Sequence, residues 1–257
     1  MIRLHAVSKT YRGDGEIKPV FENINLDLPA GRRIGIIGDK GSGKTTLLNL
    51  LCRQELPDLG NIEIDGRVSV PLGQNPGISP QLTGRENTAF IARVLGIPVP
   101  EMMRDVEKLA GLGRKFDQPF SLYPRPFRRR LNLAVALAAR YDIYLVDETL
   151  AVTGSRSPES MLERFEVLKD YPSILIASSR PKLLREQCDS IIVLENGSAR
   201  FYEDAKQGLR AFRANSPRFD GPGRGENSRA HHHKPIKSDE DAQTMDETPR
   251  VYQDGRP

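Results

Sequence analysis

The sequence predicts an α/β domain with a mainly parallel core sheet, a small antiparallel sheet near its N-terminus and a helical insert at about residues 79–140. Three observations predict this. Short apolar, β-rich runs at Ile34-Gly35-Ile36-Ile37, Ile143-Tyr144-Leu145-Val146, Ser173-Ile174-Leu175-Ile176-Ala177 and Ile191-Ile192-Val193-Leu194 alternate with helical stretches, the pattern of a parallel sheet. Two strand-like segments come first, before any helix. A glycine-rich stretch then joins the first buried strand to a helical run, as strand-loop-helix units do.

The elements follow in order. Ile2 to Tyr11 and Phe21 to Leu28 read as strands, with Ile24, Leu26 and Leu28 alternating to one face, and Gly15 lies in the polar loop between them. Pro29-Ala30-Gly31 turns the chain into Ile34 to Ile37, a run suited to burial on both faces. Thr83-Gly84-Arg85-Glu86 has capping-box spacing, so a helix opens there and ends at Gly96. Further helices are expected at about Pro100 to Leu112 and Arg128 to Arg140, the second carrying Leu131, Ala134, Val135, Leu137 and Ala138 on one side. Asn196-Gly197 marks a hairpin turn. From about Ala214, Pro, Gly, Ser and mixed charges dominate, and such a segment buries too little apolar surface to offset its ordering entropy. The expected organisation is one domain over 1–213 and a disordered polar tail over 214–257, with His231-His232-His233 read as solvated.

Composition excludes several classes. No run approaches the roughly 20 apolar residues of a spanning helix, and no signal peptide is expected. Cys52 and Cys188 are too few for a disulfide framework and lack the spacing of a zinc site. A net charge of +4 admits an anionic partner, but aromatic content of 6% without Trp offers no stacking platform, so nucleic acid is not expected.

Gly38-Asp39-Lys40-Gly41-Ser42-Gly43-Lys44-Thr45 matches the phosphate-binding pattern G-x-x-x-x-G-K-[ST] in its required context, after a strand and before Thr46-Leu47-Leu48-Asn49-Leu50-Leu51. Glycines let the backbone curl its N–H groups toward phosphates, the helix start adds partial positive charge, Lys44 reaches the terminal phosphates and Thr45 offers its hydroxyl to Mg²⁺. Ile143 to Val146 delivers Asp147 and Glu148 to a strand's C-terminal end, where such sheets bind ligands. Asp147 is expected to complete the Mg²⁺ sphere and Glu148 to orient or deprotonate the attacking water.

These residues, with Val70-Pro71-Leu72-Gly73, Leu82 to Asn87 running on to Phe90-Ile91-Ala92-Arg93, and Asp147-Glu148-Thr149-Leu150-Ala151-Val152, resemble the P-loop ATPases of ABC transporters, and within them the capsular polysaccharide exporters, over about residues 1–203. The resemblance implies an ABC nucleotide-binding domain taking ATP and Mg²⁺, with Tyr11 stacking on adenine and Gly38 through Thr46 around the phosphates. It also implies a homodimer or heterodimer of nucleotide domains, a membrane permease partner docking near Ser79 to Arg85, and a place at the cytoplasmic face of the inner membrane.

The sequence departs from the family at four places. The LSGGQ-like loop falls on Tyr123-Pro124-Arg125-Pro126-Phe127, where proline removes backbone donors and fixes φ. The histidine contacting the γ-phosphate is Ser179, the magnesium-sensing glutamine aligns with Ser79, flanked by Gln74 and Gln81, and the dimer-contacting aspartate aligns with Gly154. Losing one preorganised donor costs about 10²–10³ in rate. Two readings therefore stand: a transport ATPase, slow as a homodimer, and a nucleotide-binding subunit without useful turnover beside an active partner.

Overall fold

The computed structural model describes residues 1–13, 16–72, 74–147 and 173–215. They lie in the first of the chain's two units, Met1–Asp220; the second, Gly221–Pro257, is outside the described residues, as are Gly15, Gly73, Glu148, Thr149 to Val152 and Gly154. The expected tail and its histidines fall there too, except Ala214 and Asn215, which are helical rather than disordered.

The N-terminal sheet has the order β2-β1-β4, all antiparallel, formed by β1 (Ile2–Gly13), β2 (Glu16–Leu28) and β4 (Leu59–Ile64). Alternation places Ile2, Leu4, Ile24, Leu26 and Leu28 inward. The hairpin is longer than the sequence suggested, because β1 and β2 stay paired, through register shifts between Leu4 and Thr10, out to Gly13 and Glu16. β4 has no counterpart in the sequence reading: only Ile62 and Ile64 alternate there, both half-buried.

The second sheet has the order β5-β6-β3-β7-β8, from β3 (Arg33–Ile37), β5 (Tyr144–Val146), β6 (Ile174–Ala177), β7 (Ser190–Glu195) and β8 (Ser198–Tyr202). The first four run parallel; β8 returns antiparallel through Asn196-Gly197, whose φ values of 46° and 75° are those the tight hairpin turn requires. Successive strand residues serve opposite faces. Ile34, Ile36, Leu175 and Ala177 pack with Leu47 and Leu50 of α1 (Lys44–Leu51), while Ile37, Ile174 and Ile176 pack with Leu184 of α5 (Pro181–Gln187) and Phe212 of α6 (Ala205–Asn215). Both faces of β3 are thereby buried, and its C-terminal end is the place from which the glycine-rich loop departs.

A third core joins α2 (Gly84–Leu95), α3 (Val99–Ala110) and α4 (Arg125–Ala138) through Ile91, Met102, Val106, Leu131 and Val135. The capping box forms: Thr83 Oγ1 accepts from the Glu86 N–H at 3.1 Å and the Glu86 carboxylate accepts from the Thr83 N–H at 2.8 Å. The expected bounds of α3 and α4 shift by a few residues. α4 starts at Arg125 rather than Arg128, since Pro124 at the N-cap and Pro126 in the first turn hold φ values compatible with a helix start. Among the described residues no helix is long and apolar enough to cross a membrane.

Candidate functional site

Local physics shapes the glycine-rich loop residue by residue. A Cβ on Gly38 would overlap the Ser42 hydroxyl and the Leu194 carbonyl, so only glycine allows the chain to turn here against β7. The Ser42 N–H closes the turn on the Asp39 carbonyl at 3.1 Å. Gly41 and Gly43 then take φ values of 87° and 95°, left-handed backbone that L side chains rarely adopt. The Leu47 N–H reaches the Gly43 carbonyl at 2.8 Å and α1 begins, without a side-chain cap for its first N–H groups.

Lys44 curls back over the loop. Its ammonium donates to the carbonyls of Gly38 at 2.6 Å and Asp39 at 2.9 Å. Beside it opens a cavity of about 520 Å³ lined by Tyr11, Lys18, Lys40, Lys44, Thr45 and Ser179 among others. Three lysines, glycine backbone and the start of a helix concentrate positive potential on one concave surface. The Ser42 hydroxyl is buried and has no hydrogen-bond partner among the described residues.

Thr45 lies on the cavity wall and Thr46 is buried against it. Asp147 is buried one residue past β5. Ser179, two residues past β6, reaches the cavity from a neighbouring strand end. Tyr11, on β1, donates its hydroxyl to Glu55 Oε2 at 2.6 Å and lies 3.3 Å from Thr46 Oγ1. Partial burial, and then the hydrogen bond to Glu55, raise the Tyr11 phenol above its usual range. Of the site residues read from the sequence, Tyr11, Lys40, Gly41, Gly43, Lys44, Thr45 and Thr46 line this cavity, Gly38, Asp39 and Ser42 complete the loop behind it, and Glu148 lies outside the described residues.

Of the amide residues near the expected magnesium-sensing position, Gln74 is the one that follows closely on a residue bridged to the carboxylate strand. Leu72 bridges Val146 in parallel, and the Leu72 N–H donates to the Leu145 carbonyl at 2.8 Å, while the Gln74 N–H donates back to the Pro71 carbonyl at 3.0 Å and its side-chain oxygen accepts from Gln54 at 3.3 Å. Ser79 instead caps the loop before α2: its N–H donates to Asn87 Oδ1 at 2.7 Å and its hydroxyl to Gln81 at 2.8 Å.

The proline-rich loop opens α4 directly. The Phe127 and Arg128 N–H groups both donate to the Pro124 carbonyl, at 2.9 and 3.1 Å, and Pro126 has no N–H to offer. Arg128 holds the loop itself: its guanidinium donates to the Tyr123 carbonyl at 2.8 Å and the Ser121 carbonyl at 2.6 Å. Residues absent from the sequence reading are Lys18 and Glu55. Lys18 pairs with Tyr11 across the hairpin, a relation that hairpin counting from Tyr11 could have found; nothing local signals Glu55.

Comparison with known proteins settles the lineage. The ABC transporter family model matches residues 21–151, the span from β2 through the carboxylate pair. The chain belongs to the ABC transporter family. Among the relatives of this ABC chain, the "ATP-binding protein BexA" of Haemophilus influenzae is 37% identical over 79% of this chain and 94% of its own length. The polysialic acid transport ATP-binding protein KpsT of Escherichia coli is 32% identical over 83% and 99%. The capsule polysaccharide export ATP-binding protein CtrD of Neisseria meningitidis serogroup B is 33% identical over 79% and 94%. The dimeric ATP-binding cassette MJ0796, solved with ADP and Pi, shares the fold at TM-score 0.65 and 23% identity, over 79% of this ABC chain and 98% of its own. Family membership implies nucleotide binding, and the cationic, glycine-walled cavity fits a polyphosphate.

Proposed function

We propose that this chain is the ATP-binding subunit of an ABC exporter that moves capsular or another cell-surface polysaccharide through a membrane permease. It works at the cytoplasmic face of the inner membrane as one of a pair of nucleotide domains. One observation carries the reading most: Lys44, the left-handed glycines and the open helix start line a single cationic cavity at the C-terminal ends of β3 and β6. The names of relatives that align over nearly their whole length supply the substrate class.

In this reading Lys44 exchanges its two loop carbonyls for phosphate oxygens, and the N–H groups from Gly41 to Thr46 orient the chain of phosphates. The hydroxyl of Thr45 and the carboxylate of Asp147 hold Mg²⁺, oxygen donors suited to a hard cation. That ion, when bound, neutralises charge on the transferred phosphoryl group. Glu148, following Asp147, accepts a proton from the water or orients it. Tyr11 stacks on the base.

The relatives are named as transport ATP-binding proteins, which supports an energy-coupling role over a silent subunit. The departures at Pro124, Pro126, Ser179 and Gly154 then set the rate rather than the role. Several donors to developing charge are missing, so a homodimer turns over slowly, and a heterodimer partner with an intact loop would cap this chain's site.

The test is co-expression with a permease of the polysaccharide-export type, reconstitution in vesicles and measurement of phosphate release. Release that depends on the permease and is abolished by Glu148→Gln is expected. Release unaffected by Glu148→Gln, or no association with the permease, contradicts the reading.

A further inference from the structure

We propose that Glu55 is a positioning residue that fixes the Tyr11 ring as a platform for the nucleobase, making discrimination between a nucleotide and bare polyphosphate depend on a carboxylate outside the phosphate loop. The proposal rests on the reading that this cavity takes ATP. It adds a residue that neither the motif nor the comparisons assign.

The geometry begins with an aromatic side chain that has little packing to hold it. Tyr11 is 39% exposed near the end of a strand, where a free ring samples several rotamers and loses that freedom when a base stacks on it. Here the ring is held at three points. Its hydroxyl donates to Glu55 Oε2 at 2.6 Å and approaches Thr46 Oγ1 at 3.3 Å, while the Lys9 ammonium stands over the ring, 5.6 Å from its centroid. With a cation over one face, the ring still lines the cavity.

Glu55 is itself fixed rather than free to follow the tyrosine. Asn49 Nδ2 donates to Oε1 at 2.9 Å, the Glu55 N–H donates to the Asn49 carbonyl at 3.2 Å, and Lys9 Nζ lies 3.7 Å from Oε2. Lys9 in turn donates to the Leu56 carbonyl at 2.9 Å and lies 3.6 Å from Asp58. Burial would push the Glu55 carboxyl up, but hydrogen bonds from Tyr11 and Asn49 and the Lys9 charge outweigh it and hold the group below the ordinary carboxylate range. The bond from Tyr11 is therefore made to an anion, the stronger kind.

The clamp also has a fixed relation to the phosphates. Thr46 and Asn49 both lie on α1, the helix that Lys44 opens, so base platform and phosphate cradle hang from one short rigid element. A ring held in advance gives the base its stacking energy without first paying for immobilisation.

The experiment titrates the full chain, in Mg²⁺, with ATP and separately with inorganic tripolyphosphate. The proteins are the unmodified chain, Glu55→Ala, Glu55→Gln and Tyr11→Phe. A base–aromatic stack contributes roughly 5–150-fold in affinity. Glu55→Ala and Tyr11→Phe are expected to weaken ATP about fivefold or more while tripolyphosphate stays within about twofold, and Glu55→Gln, whose amide oxygen still accepts from Tyr11, to recover part of the loss. Where Glu55→Ala does not fold, the other two variants decide. ATP affinity unchanged across the variants, or equal losses for both ligands, overturns the proposal. Failure of the unmodified chain to bind either ligand overturns the nucleotide reading beneath it, a different result from the first two.

Discussion

Gly43 lies edge to edge with Phe21: a Cβ at residue 43 would stand 2.7 Å from the Phe21 ring and 2.7 Å from a Val20 methyl, at a φ of 95°. The last glycine of the phosphate loop is thus pinned by the β1–β2 sheet from one side and by its own backbone from the other. Gly41 has the same kind of φ but open space where its Cβ would be. Gly43→Ala is therefore expected to cost roughly 2–4 kcal/mol, strain plus overlap, and Gly41→Ala about 1–2 kcal/mol, strain alone. Urea unfolding midpoints of the two variants check the order; equal shifts contradict it.

The loop before α4 yields a prediction in the opposite direction. Pro124 and Pro126 preorganise the helix start but remove backbone donors from the loop expected to cap a phosphate. Pro124→Ser together with Pro126→Gly is expected to raise Mg·ATP turnover of the purified chain about tenfold or more while lowering stability by about 1 kcal/mol, because glycine frees the unfolded chain. Phosphate release and thermal melts on the same samples measure both. A rate that does not move would mean that this loop does not face a phosphate.

Cys188 gives a pH dependence. Burial between α5 and the sheet pushes its thiol up to about 12, from 9.0 when free. The unfolded chain ionises first, so the stabilisation is fully present below about pH 9 and is lost as pH rises from there toward 12, at about 1.4 kcal/mol per unit. Comparing the unfolding free energies of the unmodified chain and Cys188→Ala at pH 8 and pH 10 isolates the effect. The penalty of the substitution is expected to be smaller by about 1.4 kcal/mol at the higher pH; a constant penalty rules out a buried protonated thiol.

Asp147 is buried just past the end of β5, whose Val146 is bridged by Leu72. If it holds the divalent ion, Asp147→Asn weakens ATP binding in Mg²⁺ by about tenfold or more and changes binding in EDTA little. Equal affinity loss with and without Mg²⁺ would assign Asp147 to the fold instead.

What the sequence revealed of this site depended on chain distance. The phosphate loop spans eight consecutive residues, and its geometry is dictated by glycines at fixed offsets, so motif and structure coincide. The apolar strands were legible for the same reason, each carrying its pattern within four or five residues. The Tyr11–Glu55 clamp joins residues 44 apart, and the place of Gln74 follows from a parallel bridge between Leu72 and Val146; neither pairing leaves a local pattern. β4 was missed because its alternation is carried by two half-buried isoleucines alone. The early start of α4 shows proline acting as a helix opener where the sequence suggested a loop.

The central claim is that the backbone from Gly38 to Thr45, with the ammonium of Lys44, grips a triphosphate. Isothermal titration of the full chain with Mg·ATP, beside Lys44→Ala at matched fold content, tests it most directly. A saturable heat at micromolar concentration that falls about a hundredfold in affinity on losing the ammonium is the predicted result. No heat from the well-folded unmodified chain, or the same affinity in both proteins, would contradict it.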